Sequence, residues 1–355
     1  MAGEFSKRKL MELPRTVAVG HGVIEDVGRI CERTGLKGRV LIVEDKITEK
    51  VAGRKVESIL KEWDFQVYKH HISEADMETV KTVKHIANIK RSDFIMGIGG
   101  GRPIDVAKMV ASELGIHFVS VPTAASHDGI ISGSASIIVN GEKKSISAHP
   151  PIAVIADTSI IASAPHQLMT AGYGDIVSNK SAVLDWELAN REKGKEISSY
   201  ASTLSMITAE TMLRSADKII KGSEESAWII VKALSASGVA MSIAGSSRPA
   251  SGSEHLISHA LDRIAEKPAL HGHQCALASI MTLKLHGADW EDFRERLRIA
   301  GLPTTAKELG IRDEELIKAV LKAPEIRPER YTILHKLRLS REEVERLAKE
   351  TGVIG

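Results

Sequence analysis

Over its first 157 residues the chain alternates short apolar runs with longer amphipathic stretches, and this alternation narrows the choice of fold more than any other feature. "RVLIVED" (39–45), "DFIMGIG" (93–99), "HFVSVP" (117–122) and "IAVIAD" (152–157) are apolar almost throughout. Such runs read as strands covered on both faces, as in a parallel sheet flanked by helices. "FQVYKHH" (65–71) reads as another strand. Helical patterns lie between, up to Trp63, over "METVKTVKHIANIK" (77–90) and over "PIDVAKMVASEL" (103–114). Strand and helix in turn predict an α/β unit with a parallel sheet.

A hairpin is expected at "SASIIVNGEKKSIS" (134–147), where Asn140-Gly141 is the preferred type I′ turn pair. Beyond Pro165 helical patterns follow one another to the end. The expected organisation is an α/β domain over 1–162 and an all-α domain over 163–355, a division that 355 residues accommodate. The most apolar long stretch, "SAWIIVKALSASGVAMSIAG" (226–245), contains Lys232 and many small residues. It reads as a buried helix, not a membrane span, so the protein is not expected to be membrane-embedded. The first fourteen residues carry no apolar core of signal-peptide length. A net charge of +2 without a basic block argues against nucleic acid as partner. Two distant cysteines, Cys31 and Cys275, fit a reducing, cytoplasmic setting.

"GIGGGRPIDVAK" (97–108) leaves an expected strand and opens an expected helix. Gly99, Gly100 and Gly101 allow a ligand to approach the backbone closely, and Pro103 suits the first helical turn. Free backbone N–H groups there, with the helix dipole behind them, form a phosphate site. The run is not G-x-G-x-x-G, and a tight strand-to-helix turn would need similar residues. "SVPTAASHDGI" (120–130) follows the next strand at the same sheet edge, where ligands of parallel sheets gather. It offers Thr123, Ser126 and Asp128, with Ser132 just beyond. Glu44 and Asp45 end a strand where an acid can hold a ribose hydroxyl, but Lys46 follows, so NAD and NADP both stay open.

His255, His259, His271 and His273 fall within nineteen positions. His255 and His259 share one helical face. His271 is expected on a turn or at a helix start, and Asp175, in "TAGYGDIVSN" (170–179), after a glycine-rich turn at the start of another helix. Two imidazoles and a carboxylate form a ligand set for catalytic zinc, and also for non-haem iron. The H-E-x-x-H signature is absent. Spacing alone leaves open which two histidines bind and whether Asp175 joins them.

Five landmarks in order, "GIGGGRPIDVAK", "VPTAASHDGIISGSASI", "AGYGDIVSN", "SGSEHLISHALD" and "LHGHQCALAS", carry a resemblance over nearly the whole chain. The chain resembles the archaeal sn-glycerol-1-phosphate dehydrogenases, within the wider group of glycerol dehydrogenases, iron-containing alcohol dehydrogenases and dehydroquinate synthases. The resemblance implies a Rossmann-like dinucleotide domain, a helical metal- and substrate-binding domain, and an active site in the cleft between them. It implies zinc on Asp175, His255 and His271. Asp128, Asp175 and His259 would contact substrate. Gly99, Gly100, Gly101, Arg102 and Pro103, with Thr123, Ala124, Ala125 and Ser126 and assistance from Ser132, would hold NAD or NADP. The implied reaction reduces dihydroxyacetone phosphate to sn-glycerol 1-phosphate, the backbone of archaeal ether lipids, in a homo-oligomer.

A catalytic part is expected of Asp175, which the resemblance places at both metal and substrate, and of His259. The metal polarises the ketone, and His259 is expected to relay a proton with a pKa near neutrality. Where glycerol dehydrogenases read H-G-E after the last ligand, this chain reads His271-Gly272-His273, which leans away from free glycerol. Glycerol dehydrogenase and a dehydroquinate synthase-type lyase are the alternatives. For the substrate phosphate, Lys143, Lys144 and Arg248 are the candidates.

Overall fold

The structure, a computed structural model, describes residues 10–355, so the beginning of the N-terminal segment, 1–9, lies outside the described residues. Its centre is a six-stranded sheet of β1 (Thr16–Gly20), β2 (Arg39–Glu44), β3 (Gln66–His71), β4 (Phe94–Gly99), β5 (His117–Pro122) and β8 (Ala153–Asp157), in the order β1-β8-β5-β4-β2-β3. Every pairing is parallel. The remaining strands, β6 (Ser134–Val139) and β7 (Glu142–Ser147), pair antiparallel as the hairpin. Asn140 and Gly141 both have positive φ, 54° and 79°, as a type I′ turn requires.

Helices α1 (Val27–Arg33), α2 (Lys46–Thr48), α3 (Arg54–Glu62), α4 (Met77–Lys90) and α5 (Gly101–Leu114) connect the strands. The two faces of β2 show why its apolar run does not alternate. Val40 and Ile42 pack with Val56 and Ile59 of α3, whereas Leu41 and Val43 pack with Val80 and Val83 of α4 and Ile104 of α5. Each such side chain, fully buried, contributes about 1.5–3 kcal/mol.

From Thr158 the chain is helical: α6 (Thr158–Ser163), α7 (His166–Lys193), α8 (Ser199–Arg214), α9 (Glu224–Ala244), α10 (Ser253–Ile264), α11 (His271–Leu285), α12 (Trp290–Ile299), α13 (Ala306–Leu309), α14 (Asp313–Ile326), α15 (Ile333–Leu337) and α16 (Arg341–Glu350). The expected division after residue 162 falls near the end of α6. Helix α9 is long and apolar enough to cross a bilayer, yet 56% of its most apolar window is buried inside the protein, where Ala227, Ile230, Val231 and Leu234 join the core.

Two expectations differ from the structure. Strand β1 was not anticipated; it is short and only half-buried, so its sequence lacks the apolar run of its neighbours. "TAGYGDIVSN" is not a turn followed by a helix start: Asp175 sits inside the 28-residue α7. Its glycines serve close packing instead. A Cβ on Gly172 would overlap the Ala125 carbonyl oxygen, and one on Gly174 would overlap that of Gly272. Their small size lets α7 touch both the loop after β5 and the start of α11.

Candidate active site

Three segments deliver Asp175, His255 and His271 to one point. Asp175 comes from the middle of α7, His255 from the first turns of α10, and His271 from the first residue of α11. The start of α10 is tied to α7 by Asp185, whose buried carboxylate accepts the backbone N–H of Ser253 at 2.7 Å and also that of Ile333 at 2.6 Å. Gly272 brings the start of α11 against α7, because a Cβ there would stand 3.0 Å from the Asp175 nitrogen and overlap the Ala171 carbonyl.

The hydrogen bonds around the two imidazoles fix their tautomers. His255 Nδ1 lies 2.9 Å from Glu254 Oε1, a carboxylate that can only accept, so Nδ1 carries the proton. Ser258 Oγ donates to Gln274 Oε1 at 2.6 Å, so it accepts from His271 Nδ1 at 2.9 Å. In the neutral imidazoles both Nε2 lone pairs are therefore free. They face Asp175 Oδ1 at 3.7 Å for His255 and 3.8 Å for His271. The other oxygen of Asp175, Oδ2, accepts the Asp128 N–H at 2.9 Å, which sets the carboxylate's orientation. In that form three acceptor atoms converge, which is the donor set of a divalent metal, with each imidazole steered through its other nitrogen. Without a cation this arrangement is costly. Burial, and then the Asp128 charge, push Asp175 up to about 7. Cys275 Sγ completes a cluster of potential ligands with these three. It lies 3.9 Å from His271 Nδ1 and 3.7 Å from Nε2, so it rests against the ring rather than in line with one lone pair.

His259, one turn beyond His255, is stacked on His271 with ring centroids 5.8 Å apart. Its Nδ1 is buried with no hydrogen-bond partner. Burial, reinforced by nearby positive charge that includes Arg327 and Lys143, holds its pKa down to about 3. This corrects the expected near-neutral pKa: His259 is a neutral imidazole. Asp128 lines the same pocket and accepts from Ser237 Oγ at 3.1 Å. His273 turns away from the pocket and bonds Thr170 of α7 at 2.9 Å.

A second, longer cleft runs along the carboxyl edge of the sheet. It is lined by Asp45, by Gly100, Gly101, Arg102 and Pro103, and by Thr123, Ala124 and Ser126. The members of the glycine run differ in role. Gly99 has φ 151°, and a Cβ there would press on Pro103 at 2.8 Å. A Cβ on Gly101 would meet His127 Nε2 at 2.6 Å, whereas one on Gly100 would point into open space. Gly100 is thus the glycine whose bareness faces the cleft. Ala125 is buried against α7 and does not line this cleft, nor does Ser132, whose unpartnered hydroxyl belongs to the histidine pocket. Asp45 caps α2, accepting from Ile47 and Thr48 N–H groups at 2.8 Å, while Glu44 is buried elsewhere. The two cavities meet: Asp105, His127, Ser136, Lys143 and His271 border both.

Sequence reasoning missed several supports. Glu254 and Ser258 lie beside the histidines they orient, and an acid next to His255 was a readable signal. Lys108, fully buried in α5, donates to the Gly129 and Ser134 carbonyls at 2.6 Å each and clamps the Asp128 turn and the hairpin base to the glycine-run helix. Arg327, which lines the histidine pocket, lies far along the chain and gave no signal. Of the phosphate candidates, only Lys143 reaches that pocket; Lys144 faces Glu142, and Arg248 donates to the Tyr331 carbonyl at 3.1 Å.

Known proteins resemble this chain in sequence and in fold. The iron-containing alcohol dehydrogenase family matches residues 17–165. The chain is 50% identical to the glycerol-1-phosphate dehydrogenase [NAD(P)+] of Methanosarcina acetivorans, over 98% of this chain and 97% of that protein. It is 48% identical to the protein of the same name from Methanospirillum hungatei, over 97% and 95%. Among solved structures, glycerol dehydrogenase from Schizosaccharomyces pombe superposes with a TM-score of 0.80 at 21% identity, covering 98% of this chain and 91% of that one. A sulfoacetaldehyde reductase from Bifidobacterium kashiwanohense in complex with NAD+ gives 0.76 at 15% identity, covering 99% and 100%. These distant likenesses concern the fold, whereas identity near one half over almost the full length means that the chain belongs to the glycerol-1-phosphate dehydrogenase family.

Proposed function

We propose that the chain reduces dihydroxyacetone phosphate to sn-glycerol 1-phosphate with NADH or NADPH, which supplies the glycerophosphate backbone of archaeal membrane lipids. The carrying observation is the meeting of the two cavities at His271: a cleft suited to a dinucleotide opens onto the pocket of His255 and His271, whose Nε2 atoms converge on Asp175 just behind it. Residues 1–162 would bind the dinucleotide, and 163–355 the metal and substrate.

Asp175, His255 and His271 would hold the metal. Bound there, a divalent ion supplies Lewis-acid polarisation of the substrate carbonyl, and the reduced dinucleotide supplies the hydride. The protein's own groups position the ketone. The Asp128 carboxylate accepts a hydrogen bond from the substrate hydroxyl. His259, neutral, donates a ring N–H toward the carbonyl oxygen and stabilises the charge that grows there. The proton that completes the new hydroxyl then comes from water in the open cleft. Gly100 to Pro103, with Thr123, Ala124 and Ser126, would carry the dinucleotide, with Ser132 acting from the substrate side.

Zinc suits the donor set and its open position. Iron(II) is the second reading, favoured by the family match. Metal analysis of the purified protein, then chelation and restoration with each ion, separates the two. A cytoplasmic homo-oligomer is part of the proposal. It is supported by two buried free thiols and by Tyr200 and Ile207, exposed on one face of α8.

The test is steady-state oxidation of NADH and NADPH with dihydroxyacetone phosphate and with dihydroxyacetone, followed by stereochemical assignment of the product. Preference for the phosphorylated ketone and an sn-1 product support the reading. Equal efficiency on both ketones, or an sn-3 product, overturns it.

A further inference from the structure

The pocket that carries the metal ligands is lined by two flexible cations, Lys143 and Arg327. They enter from opposite parts of the molecule: Lys143 from hairpin strand β7, Arg327 from the residue that follows α14. We propose that Arg327, assisted by Lys143, is the subsite for the substrate's phosphate, an assignment that rests on the ketose-phosphate reading above.

Arg327 is the uncommitted arginine of its neighbourhood. Arg248 is spent on the Tyr331 carbonyl. Arg330 donates to the Ser251 carbonyl at 2.6 Å and to Ser247 Oγ at 2.9 Å, which braces the pocket wall those serines form. The Arg327 guanidinium makes no hydrogen bond or ion pair among the described residues. It is half-buried, and burial lowers its pKa, with Glu329 the neighbour that opposes this. A fork of N–H donors partly removed from water and left unpaired is stabilised by a bidentate oxyanion, and a phosphate matches its geometry.

Lys143 is held loosely, 3.7 Å from Asp262 Oδ2, and stays half-exposed where the two cavities join. Both cations act on His259, which puts their field beside the residue proposed to meet the carbonyl oxygen. Hydroxyls of Ser136, Ser145, Ser247 and Ser251 line the same wall and can accept or donate around an anion. A phosphate bridging β7 and the end of α14 would also draw the two parts of the molecule together over the substrate. That gives remote binding energy a direct route to orienting the carbonyl.

The experiment measures kcat/KM for dihydroxyacetone phosphate and for dihydroxyacetone in wild type, Arg327→Ala, Arg327→Lys and Lys143→Met. It adds competitive inhibition of dihydroxyacetone reduction by inorganic phosphate. The ratio of the two efficiencies should fall about 10²-fold in Arg327→Ala, in line with a lost charge-assisted pair. It should fall less in Arg327→Lys, which keeps the charge without the fork. Phosphate inhibition should weaken in parallel, and Lys143→Met should show a smaller loss of both. If wild type shows no preference for the phosphorylated ketone, the functional reading itself fails. If wild type shows the preference and Arg327→Ala and Arg327→Lys both retain it, with phosphate inhibition intact, the subsite assignment alone is overturned.

Discussion

Gly272 of α11 passes Ala171 of α7 so closely that a Cβ would overlap the Ala171 carbonyl oxygen. This crossing puts His271, one residue earlier, against Asp175, one helical turn later. Gly272→Ala must therefore push the two helices apart. The expected cost is about 1–3 kcal/mol, typical of overpacking. Metal affinity should fall with it, since His271 and Asp175 can no longer share an ion. Thermal unfolding and a metal titration on one preparation check both parts. A variant with unchanged affinity would mean that this crossing does not set the ligand spacing.

Gly100→Val tests the dinucleotide cleft without disturbing the fold. Its Cβ meets no protein atom within 4 Å, so stability should stay near wild type. Affinity for NADH and NADPH should drop at least about tenfold, because the new side chain occupies space that a pyrophosphate at the start of α5 requires. Calorimetric titration measures this directly. An unchanged dissociation constant for both cofactors would reduce the run to a turn.

Lys108 is fully buried and donates to two backbone carbonyls, with Asp105 Oδ1 3.3 Å away. Lys108→Met leaves the Gly129 and Ser134 oxygens and the Asp105 carboxylate without that partner. The expected loss is about 3–5 kcal/mol in unfolding free energy, the range for breaking a buried charge pair. Denaturant unfolding measures it. Activity should fall as well, because the Asp128 turn hangs on the same clamp.

Glu44 is fully buried, with neither carboxylate oxygen hydrogen-bonded. Burial raises its pKa to about 7. A carboxyl with a raised folded pKa favours the native state fully below its ordinary value of 4.5, and that contribution is lost as pH rises through about 7. Glu44→Gln should then melt close to wild type at pH 5 and above it at pH 8. A Tm difference independent of pH would contradict the assignment.

Much of this architecture was readable because burial on both faces forces β2, β4, β5 and β8 into apolar runs, and a type I′ turn leaves its Asn-Gly mark. Half-buried β1 has no such constraint and was missed. The site was legible in its residue types but not in its assembly. Gly172 and Gly174 looked like turn residues because a glycine needed for helix contact has the same letter as one needed for a turn. Arg327 could not be linked to His255 by any local pattern, since only the packing of α10 against α14 joins them. The pKa of His259 depends on burial and on cations from β7 and the end of α14, so its sequence neighbours could not reveal it.

The account stands most directly on one claim: the free Nε2 atoms of His255 and His271 and the Asp175 carboxylate hold a single metal ion. Equilibrium metal titration of wild type, Asp175→Ala, His255→Ala and His271→Ala, with metal content determined by elemental analysis, tests it. The prediction is about one ion per wild-type chain and at least about a 10²-fold loss of affinity in each variant, since three protein ligands are the minimum of such a site. Wild-type affinity retained in all three variants would contradict it.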